Sequence, residues 1–196
     1  MKKDVKKKLV IFASGAGSNA QKIIDYFKEK TTAEIVLIVT NNPKAGVLNI
    51  AAHENIPVLL IEKNEFKESG YLGEIKKANP DMIILAGFLW KVPPILIQSF
   101  SRKIINIHPA LLPAYGGKGM YGNAVHTAVI AAGEKESGIT IHFVDDKYDH
   151  GETIFQVKCR LDENESPETL ANKIHSLEHE YYPKTIEDLL QTNGSD

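Results

Sequence analysis

Short apolar runs alternate with amphipathic segments along this chain, and the alternation predicts its elements. Residues 9–13 (LVIFA) form an apolar run stopped by Ser14-Gly15, as a strand buried on both faces requires. Ala20, Ile23, Ile24 and Phe27 recur at i, i+3, i+4 and i+7, the pattern of a helix with one apolar face. Residues 34–40 (EIVLIVT) are rich in β-branched side chains and predict a second strand. Asn41-Asn42-Pro43 marks a turn, residues 44–55 a helix and residues 57–61 a third strand. A polar helix over 65–79 ends at Asn79-Pro80, where proline stops continuation. Residues 82–86 (MIILA) give a fourth strand closed by Gly87, Pro93-Pro94 leads a short helix, and residues 103–107 give a fifth strand.

The last third reads differently. Residues 138–144 (GITIHFV) and 153–160 (TIFQVKCR) are strands whose connection is too short for a parallel crossover, so they should pair antiparallel. Ser166-Pro167-Glu168 opens a long C-terminal helix, with serine as N-cap, proline in the first turn and a carboxylate near the positive end of the dipole. Pro183 predicts a kink or restart. The whole pattern implies an α/β fold: a Rossmann-like open, mostly parallel sheet with helices on both faces and an antiparallel C-terminal strand pair. Residues 1–7 read as a disordered or solvated Lys-rich tail, and residues 8–196 as a single domain.

Composition narrows the function. With 196 residues, 43% hydrophobic and 24% charged, the chain has the balance of a globular domain. No apolar run approaches the roughly 18–20 residues of a membrane helix. Five of the 23 basic residues fall within residues 1–8, so the remainder is more acidic than the net charge of −2 suggests. That argues against a nucleic-acid partner. The basic start resembles the charged end of a signal peptide, but the apolar stretch behind it is shorter than the roughly 7–15 residues such a peptide needs. The lone Cys159 has no partner for an intramolecular disulfide, and the expected location is cytoplasmic.

Three places carry candidate chemistry. In Ser14-Gly15-Ala16-Gly17-Ser18-Asn19-Ala20, between the first strand and helix, free backbone N–H groups at a helix N-terminus suit a phosphate; the alternative is a tight turn and nothing more. Gly15, Gly17 and Ala20 also fit the dinucleotide spacing, but the second strand ends in Thr40-Asn41-Asn42 without the acidic residue that would hold a ribose, so a smaller phosphorylated ligand is favoured. Asn106 and His108, at i and i+2 of the fifth strand, should project to the same side beyond the sheet's carboxyl edge, where an amide and an imidazole can cradle an oxyanion. The acidic turn 145–151 (DDKYDHG) offers a carboxylate to orient His108 and favour its charged form, or is a solvated hairpin. Asp145, Asp146 and Asp149 with His142 and His150 match no compact metal-ligand spacing, so no metal is expected. His175 and His179 lack the adjacent glutamate of a zinc-protease helix and read as surface or core histidines.

The order SGAGSN after strand one, AGF after strand four, NIHPALLP (residues 106–113) after strand five, and a D-x-G turn after HFV resembles the folate-dependent formyltransferases, in particular the branch serving purine biosynthesis. The resemblance runs from about Lys8 into the C-terminal helix. It implies transfer of a formyl group from 10-formyltetrahydrofolate, as co-substrate, to the amine of glycinamide ribonucleotide. By the same resemblance, Gly17, Ser18, Asn19 and Glu178 hold the ribonucleotide. Asn106 and protonated His108 stabilise a tetrahedral oxyanion, and Asp149 assists proton transfer. Leu89, Trp90, Lys91, Val92, Asn106 and Asp145 contact the folate. The implied state is a monomer or homodimer, with no nucleic acid and no membrane. Relatives often carry a Met-Arg pair where Leu89-Trp90 stands here. Residues 114–123 (AYGGKGMYGN) read as a mobile active-site loop. The competing reading, a non-catalytic sensor of a phosphorylated metabolite, explains the glycine loop but gives Asn106, His108 and Asp149 no joint purpose.

Overall fold

The computed structural model describes residues 6–68 and 70–192, and these build one seven-stranded sheet. The strands are β1 (Lys7–Phe12), β2 (Ala33–Thr40), β3 (Val58–Leu60), β4 (Met82–Leu85), β5 (Ile104–His108), β6 (Glu136–Phe143) and β7 (Thr153–Arg160). Their order is β3-β2-β1-β4-β5-β6-β7. β1 to β5 are mutually parallel, while β5-β6 and β6-β7 are antiparallel. The expected architecture is therefore found. Helices α1 (Ser18–Lys30), α2 (Val47–Glu54), α6 (Asn123–Ala131) and α7 (Pro167–Thr192) accompany α3 (Lys63–Lys67), α4 (Leu72–Lys77) and α5 (Pro94–Ser99).

Strand periodicity explains the two cores. In β1, Leu9 and Ile11 point into one cluster with Ile23, Phe27, Val125 and Tyr182. Val10 and Phe12 point into the other, with Phe66, Ile75, Leu96 and Phe100. Every one of these side chains is buried, each contributing about 1.5–3 kcal/mol for the larger aliphatic and aromatic groups. Because both faces are covered, β1 reads as an unbroken apolar run instead of an alternation.

Four expectations change. The helix expected over 65–79 is two short ones, α3 and α4. The N–H of Gly70 returns to the Glu65 carbonyl (2.8 Å), and the break lets Phe66 and Ile75 both reach the same core. Helix α6 is an addition: apolar Val125 and Val129 sit one turn apart, and both are buried. Helix α7 continues through Pro183 without a restart, because buried Leu170, Ile174, Tyr182, Ile186 and Leu190 fix it along its length by packing that outweighs the missing N–H. Finally, Lys7 belongs to β1 rather than to the tail. Its ammonium pairs with Asp81 at 3.5 Å, and the same carboxylate accepts from the Lys8 N–H at 2.8 Å. Residues 1–5 of that tail lie outside the described residues.

Tyr182 ties α7 to the sheet. It is fully buried, and its hydroxyl donates to the carbonyls of Leu85 (3.0 Å) and Ile105 (3.3 Å), near the carboxyl ends of β4 and β5. Burial pushes its pKa far up, so it stays a neutral donor. Tyr182→Phe removes the buried hydroxyl that bridges the two strand carbonyls and is expected to lower unfolding free energy by about 0.5–1.5 kcal/mol in a denaturant titration. A change within about 0.3 kcal/mol would show that the hydroxyl is not holding the two strands.

Candidate active site

Strand order reverses between β1 and β4, and ligands of such sheets bind beyond the strand ends at that reversal. The loops there are stitched together: Ser14 N–H donates to the Gly87 carbonyl (3.1 Å), Leu89 N–H to Ser14 Oγ (3.0 Å), and Asn42 Nδ2 to the Ser14 carbonyl (3.1 Å). Ser14 thus braces the loop from below. Gly17 begins α1 with φ of 83°, and a Cβ there would fall 2.9 Å from both Ile50 and Val47, so only glycine fits. No side chain caps α1 and no acidic residue occupies its first turn, which leaves its leading N–H groups directed at the space beyond.

That space is a cavity of about 590 Å³. Its walls bring together the glycine loop (Gly15, Gly17, Ser18, Asn19), the strand-four turn (Gly87, Phe88, Leu89), Asn106 and His108 of β5, Asp149, and Glu178 of α7. Residues 117–122, within the stretch expected to form a mobile loop, line one side. Glu178 interrupts the apolar stripe of α7 and is buried; burial raises its pKa, while a hydrogen bond from Asn19 Nδ2 (2.9 Å) opposes the rise.

At the other end of the cavity the anticipated trio converges. His108 Nδ1 lies 3.5 Å from Asp149 Oδ2, and Asn106 Nδ2 lies 3.5 Å from Asp149 Oδ1. Asp149 Oδ2 also accepts the Gly117 N–H at 2.9 Å. Burial works upward on the Asp149 carboxyl, but His142, His108 and the Gly117 N–H together hold it below the usual carboxylate range. For His108 the balance is the reverse of the expected one. Burial lowers its pKa by more than Asp149 and the Tyr115 carbonyl raise it, so the neutral imidazole is favoured. His108 Nε2 is 2.8 Å from the Tyr115 carbonyl, so the ring's hydrogen resides on that nitrogen. Tyr115 and Asp149 are both non-glycine residues at positive φ (58° and 52°), strain placed where backbone must meet the imidazole.

His142 is a member of this network that the sequence reading assigned only to a possible metal. It faces Asn106 across the β5-β6 pair and is buried. Its Nδ1 donates to the Phe143 carbonyl (2.8 Å), which leaves Nε2 to accept from Asn106 Nδ2 at 3.1 Å and fixes the carboxamide. The next rung pairs His108 with Thr140, whose hydroxyl donates to the Ala110 carbonyl (2.7 Å) and accepts the Leu112 N–H (3.0 Å). Polar side chains at alternate positions of two otherwise apolar strands were the signal available. Tyr115 and Gly117 act through their backbones, which no side-chain pattern reveals.

The side chains of four residues expected at the folate side are engaged outside the cavity. Trp90 packs on Phe66 and Phe88 (centroids 6.2 and 6.4 Å away). Val92 is buried with Leu96 and Phe100. Lys91 reaches out over the Tyr148 ring at 5.9 Å. Asp145 caps its own turn, accepting from the Lys147 N–H (2.8 Å) and meeting His150 Nδ1 (3.0 Å). In each case a partner nearer than the cavity claims the side chain. Among the described residues, no group of three or more His, Cys, Asp or Glu is placed to hold a metal, and no helix is long and apolar enough to cross a membrane.

Comparisons with known proteins agree on one kinship. The family model described as formyl transferase matches residues 7–186. The chain is 40% identical over 188 residues to the phosphoribosylglycinamide formyltransferase, chloroplastic, of Arabidopsis thaliana, covering 92% of this chain and 64% of that protein, just under two thirds of its length. It is 37% identical over 194 residues to the phosphoribosylglycinamide formyltransferase of Bacillus subtilis, covering 96% of this chain and 97% of that one. The crystal structure of phosphoribosylglycinamide formyltransferase from Bacillus halodurans superposes with a TM-score of 0.86 at 35% identity, covering 94% of this chain and 95% of that chain.

Proposed function

The chain belongs to the formyl transferase family, and from that premise we propose that it transfers a formyl group from 10-formyltetrahydrofolate to the amine of glycinamide ribonucleotide in purine biosynthesis. The observation that carries this reading is one cavity holding an uncapped helix N-terminus at one end and the Asn106–His108–Asp149 trio at the other. A ligand with a phosphate at one end and a nucleophile at the other fits that arrangement.

Gly17, Ser18 and Asn19 bind the phosphate through backbone N–H groups and the Ser18 hydroxyl, and Glu178 binds the sugar side. Leu89 is 49% exposed and Tyr148 42% exposed at the cavity, an apolar rim that fits a flat ring system. These two side chains, the main chain of residues 89–92 and the turn 145–149 hold the folate, which supplies the formyl carbon. The amine forms a bond to that carbon, charge develops on the former carbonyl oxygen, and the bond to the folate nitrogen breaks as a proton passes to it. Asn106 meets the developing charge with an N–H that it now spends on a 3.5 Å contact with Asp149. His108 meets it with the hydrogen now held by the Tyr115 carbonyl. Asp149 and the neutral His108 accept the proton lost by the amine and return it to the leaving nitrogen. The enzyme works as a monomer or homodimer, with no nucleic acid, membrane or metal. The cytoplasmic location belongs to the same proposal, although the Arabidopsis relative is named as chloroplastic.

The test mixes the protein with glycinamide ribonucleotide and a 10-formyl folate analogue and follows deformylated folate by absorbance. Formation that requires both substrates is expected; none at any protein concentration would overturn the reading in favour of a metabolite sensor. Ser18→Ala is expected to raise KM for the ribonucleotide about 10- to 100-fold, the effect of one hydrogen bond to a charged group, and to leave KM for the folate unchanged. Equal increases for both would remove Ser18 from the phosphate.

A further inference from the structure

Two side chains of the reaction above are held by one short stretch of backbone, and that stretch is anchored outside the cavity. The Tyr115 carbonyl meets His108 Nε2 (2.8 Å), and two residues on the Gly117 N–H donates to Asp149 Oδ2 (2.9 Å). Between them, a Cβ on Gly116 would fall 2.6 Å from Leu112 Cδ2 and 3.2 Å from Asp149 Cβ, so the chain passes close against the aspartate. Tyr115 sits at φ 58°, a conformation that a residue with a side chain keeps only where its surroundings hold it. Two contacts supply that hold. The Tyr115 ring packs against the cluster of Val125 and Val129. Its hydroxyl donates to Glu134 Oε1 at 2.6 Å, a short charge-assisted bond. Glu134 is itself fixed just past α6. Gly133 stops the helix at φ 68° with its N–H on the Ile130 carbonyl (3.0 Å), and the Glu134 N–H returns to the Val129 carbonyl (3.5 Å). The carboxylate keeps the phenol above its ordinary pKa, so the hydroxyl remains the donor.

We propose that Glu134 and the Tyr115 hydroxyl are positioning residues for formyl transfer, latching the turn 115–117 to the end of α6 so that its backbone holds His108 and Asp149 in place. This rests on the transferase reading above and adds a carboxylate that touches neither substrate nor reacting atom. The bond joins residues 19 apart and closes a loop that contains the cavity-lining residues 117–122 and all of α6. Its effect reaches the chemistry through the Tyr115 carbonyl. With that carbonyl in place, the His108 hydrogen stays on Nε2 and Nδ1 faces Asp149. When it slips, the imidazole is free to tilt or exchange tautomer, and a displacement of about 1 Å at a reacting group lowers a rate by as much as about 10²-fold. The groups facing His108 are Asp149, the Tyr115 carbonyl, His142 of β6 and His126 of α6. Asp149 and the carbonyl raise the pKa of His108, against burial and His142, which lower it. Loosening the carbonyl therefore moves the titration of His108 to lower pH.

The experiment compares Tyr115→Phe, Glu134→Ala and the double variant with the wild-type full chain. It uses steady-state kinetics with glycinamide ribonucleotide and a 10-formyl folate analogue, and histidine ring NMR of the substrate-free protein across pH. Each single variant is expected to lower kcat about 3- to 10-fold, the effect of one exposed hydrogen bond, with both KM values within about twofold of wild type. The double variant should fall no further than either single one, because both remove the same bond. The acid limb of the pH–rate profile and the His108 ring titration should both move to lower pH, with loss of the fixed Nε2–H tautomer. Glu134→Gln, which keeps an acceptor, should recover most of the kcat lost in Glu134→Ala. If Tyr115→Phe fails to fold, Glu134→Ala, whose side chain is exposed, decides alone. A His108 titration and tautomer unmoved in these variants would overturn the latch while leaving the transferase reading intact. Should the wild-type protein transfer no formyl group, the transferase reading falls, and the ring signals of His108 still decide whether Glu134 holds the imidazole.

Discussion

His108→Ala is expected to lower kcat by about 10²- to 10⁴-fold while the protein stays folded, the range for losing one oxyanion or acid–base group. The imidazole is 96% withdrawn from solvent by its 4% side-chain exposure, yet it lies at the end of β5 and not in either apolar cluster. Its removal therefore strips the cavity wall and spares the core. The substitution also removes the partner of the Tyr115 carbonyl. Circular dichroism should match wild type, and the loss should appear in kcat and kcat/KM together, since the interaction is made in the transition state. Turnover within a few-fold of wild type would take His108 out of the chemistry.

Asp149→Asn is expected to reduce kcat by about 10²-fold or more and to move the acid limb of the pH–rate profile to lower pH. The sign follows from the balance at His108. Burial holds that pKa down and the charge of Asp149 pulls it partly back up. Asparagine keeps the shape but removes the pull, so His108 is protonated only at lower pH. Stability responds as well. The Asp149 carboxyl titrates below its unfolded value, so its contribution is present above the unfolded pKa and fades as pH falls through the folded one. The variant should accordingly lose less stability than wild type across the carboxylate range. A slower enzyme with an unmoved acid limb would make Asp149 a structural brace for Gly117 and the loop, with no electrical effect on the imidazole.

Much of this arrangement was legible in the chain, for identifiable reasons. Strands buried on both faces carry few polar positions away from their first residues, so β1, β2 and β4 are legible to within one or two residues. Asn106 and His108 stood out because two polar side chains share one side of an apolar strand. The long helix was equally plain, although its proline misled. Seven turns of packing override one missing N–H, and a local rule about proline contains no term for that. The break between α3 and α4 was lost for a related reason: both halves are polar enough to read as one surface helix, and only the shared core of Phe66 and Ile75 separates them. Trp90 is a different case: its expected folate contact rests on the resemblance alone, and three phenylalanines (12, 66 and 88) form a nest of edge-to-face and tilted rings that accepts its side chain as a fourth aromatic. Backbone groups such as the Tyr115 carbonyl were beyond reach, since any residue could supply them.

The stitched loops at the strand reversal have one more consequence. The glycine turn hangs from β1 and the imidazole from β5, with only β4 between them. Neighbouring strands stand about 4.8 Å apart, so the sheet sets roughly 10 Å between the two ends of the ligand. That length is a property of the peptide backbone and cannot be retuned by exchanging side chains. The sheet is a ruler: under the proposed function, a molecule whose anion and nucleophile are spaced much more closely or widely is gripped at one end alone.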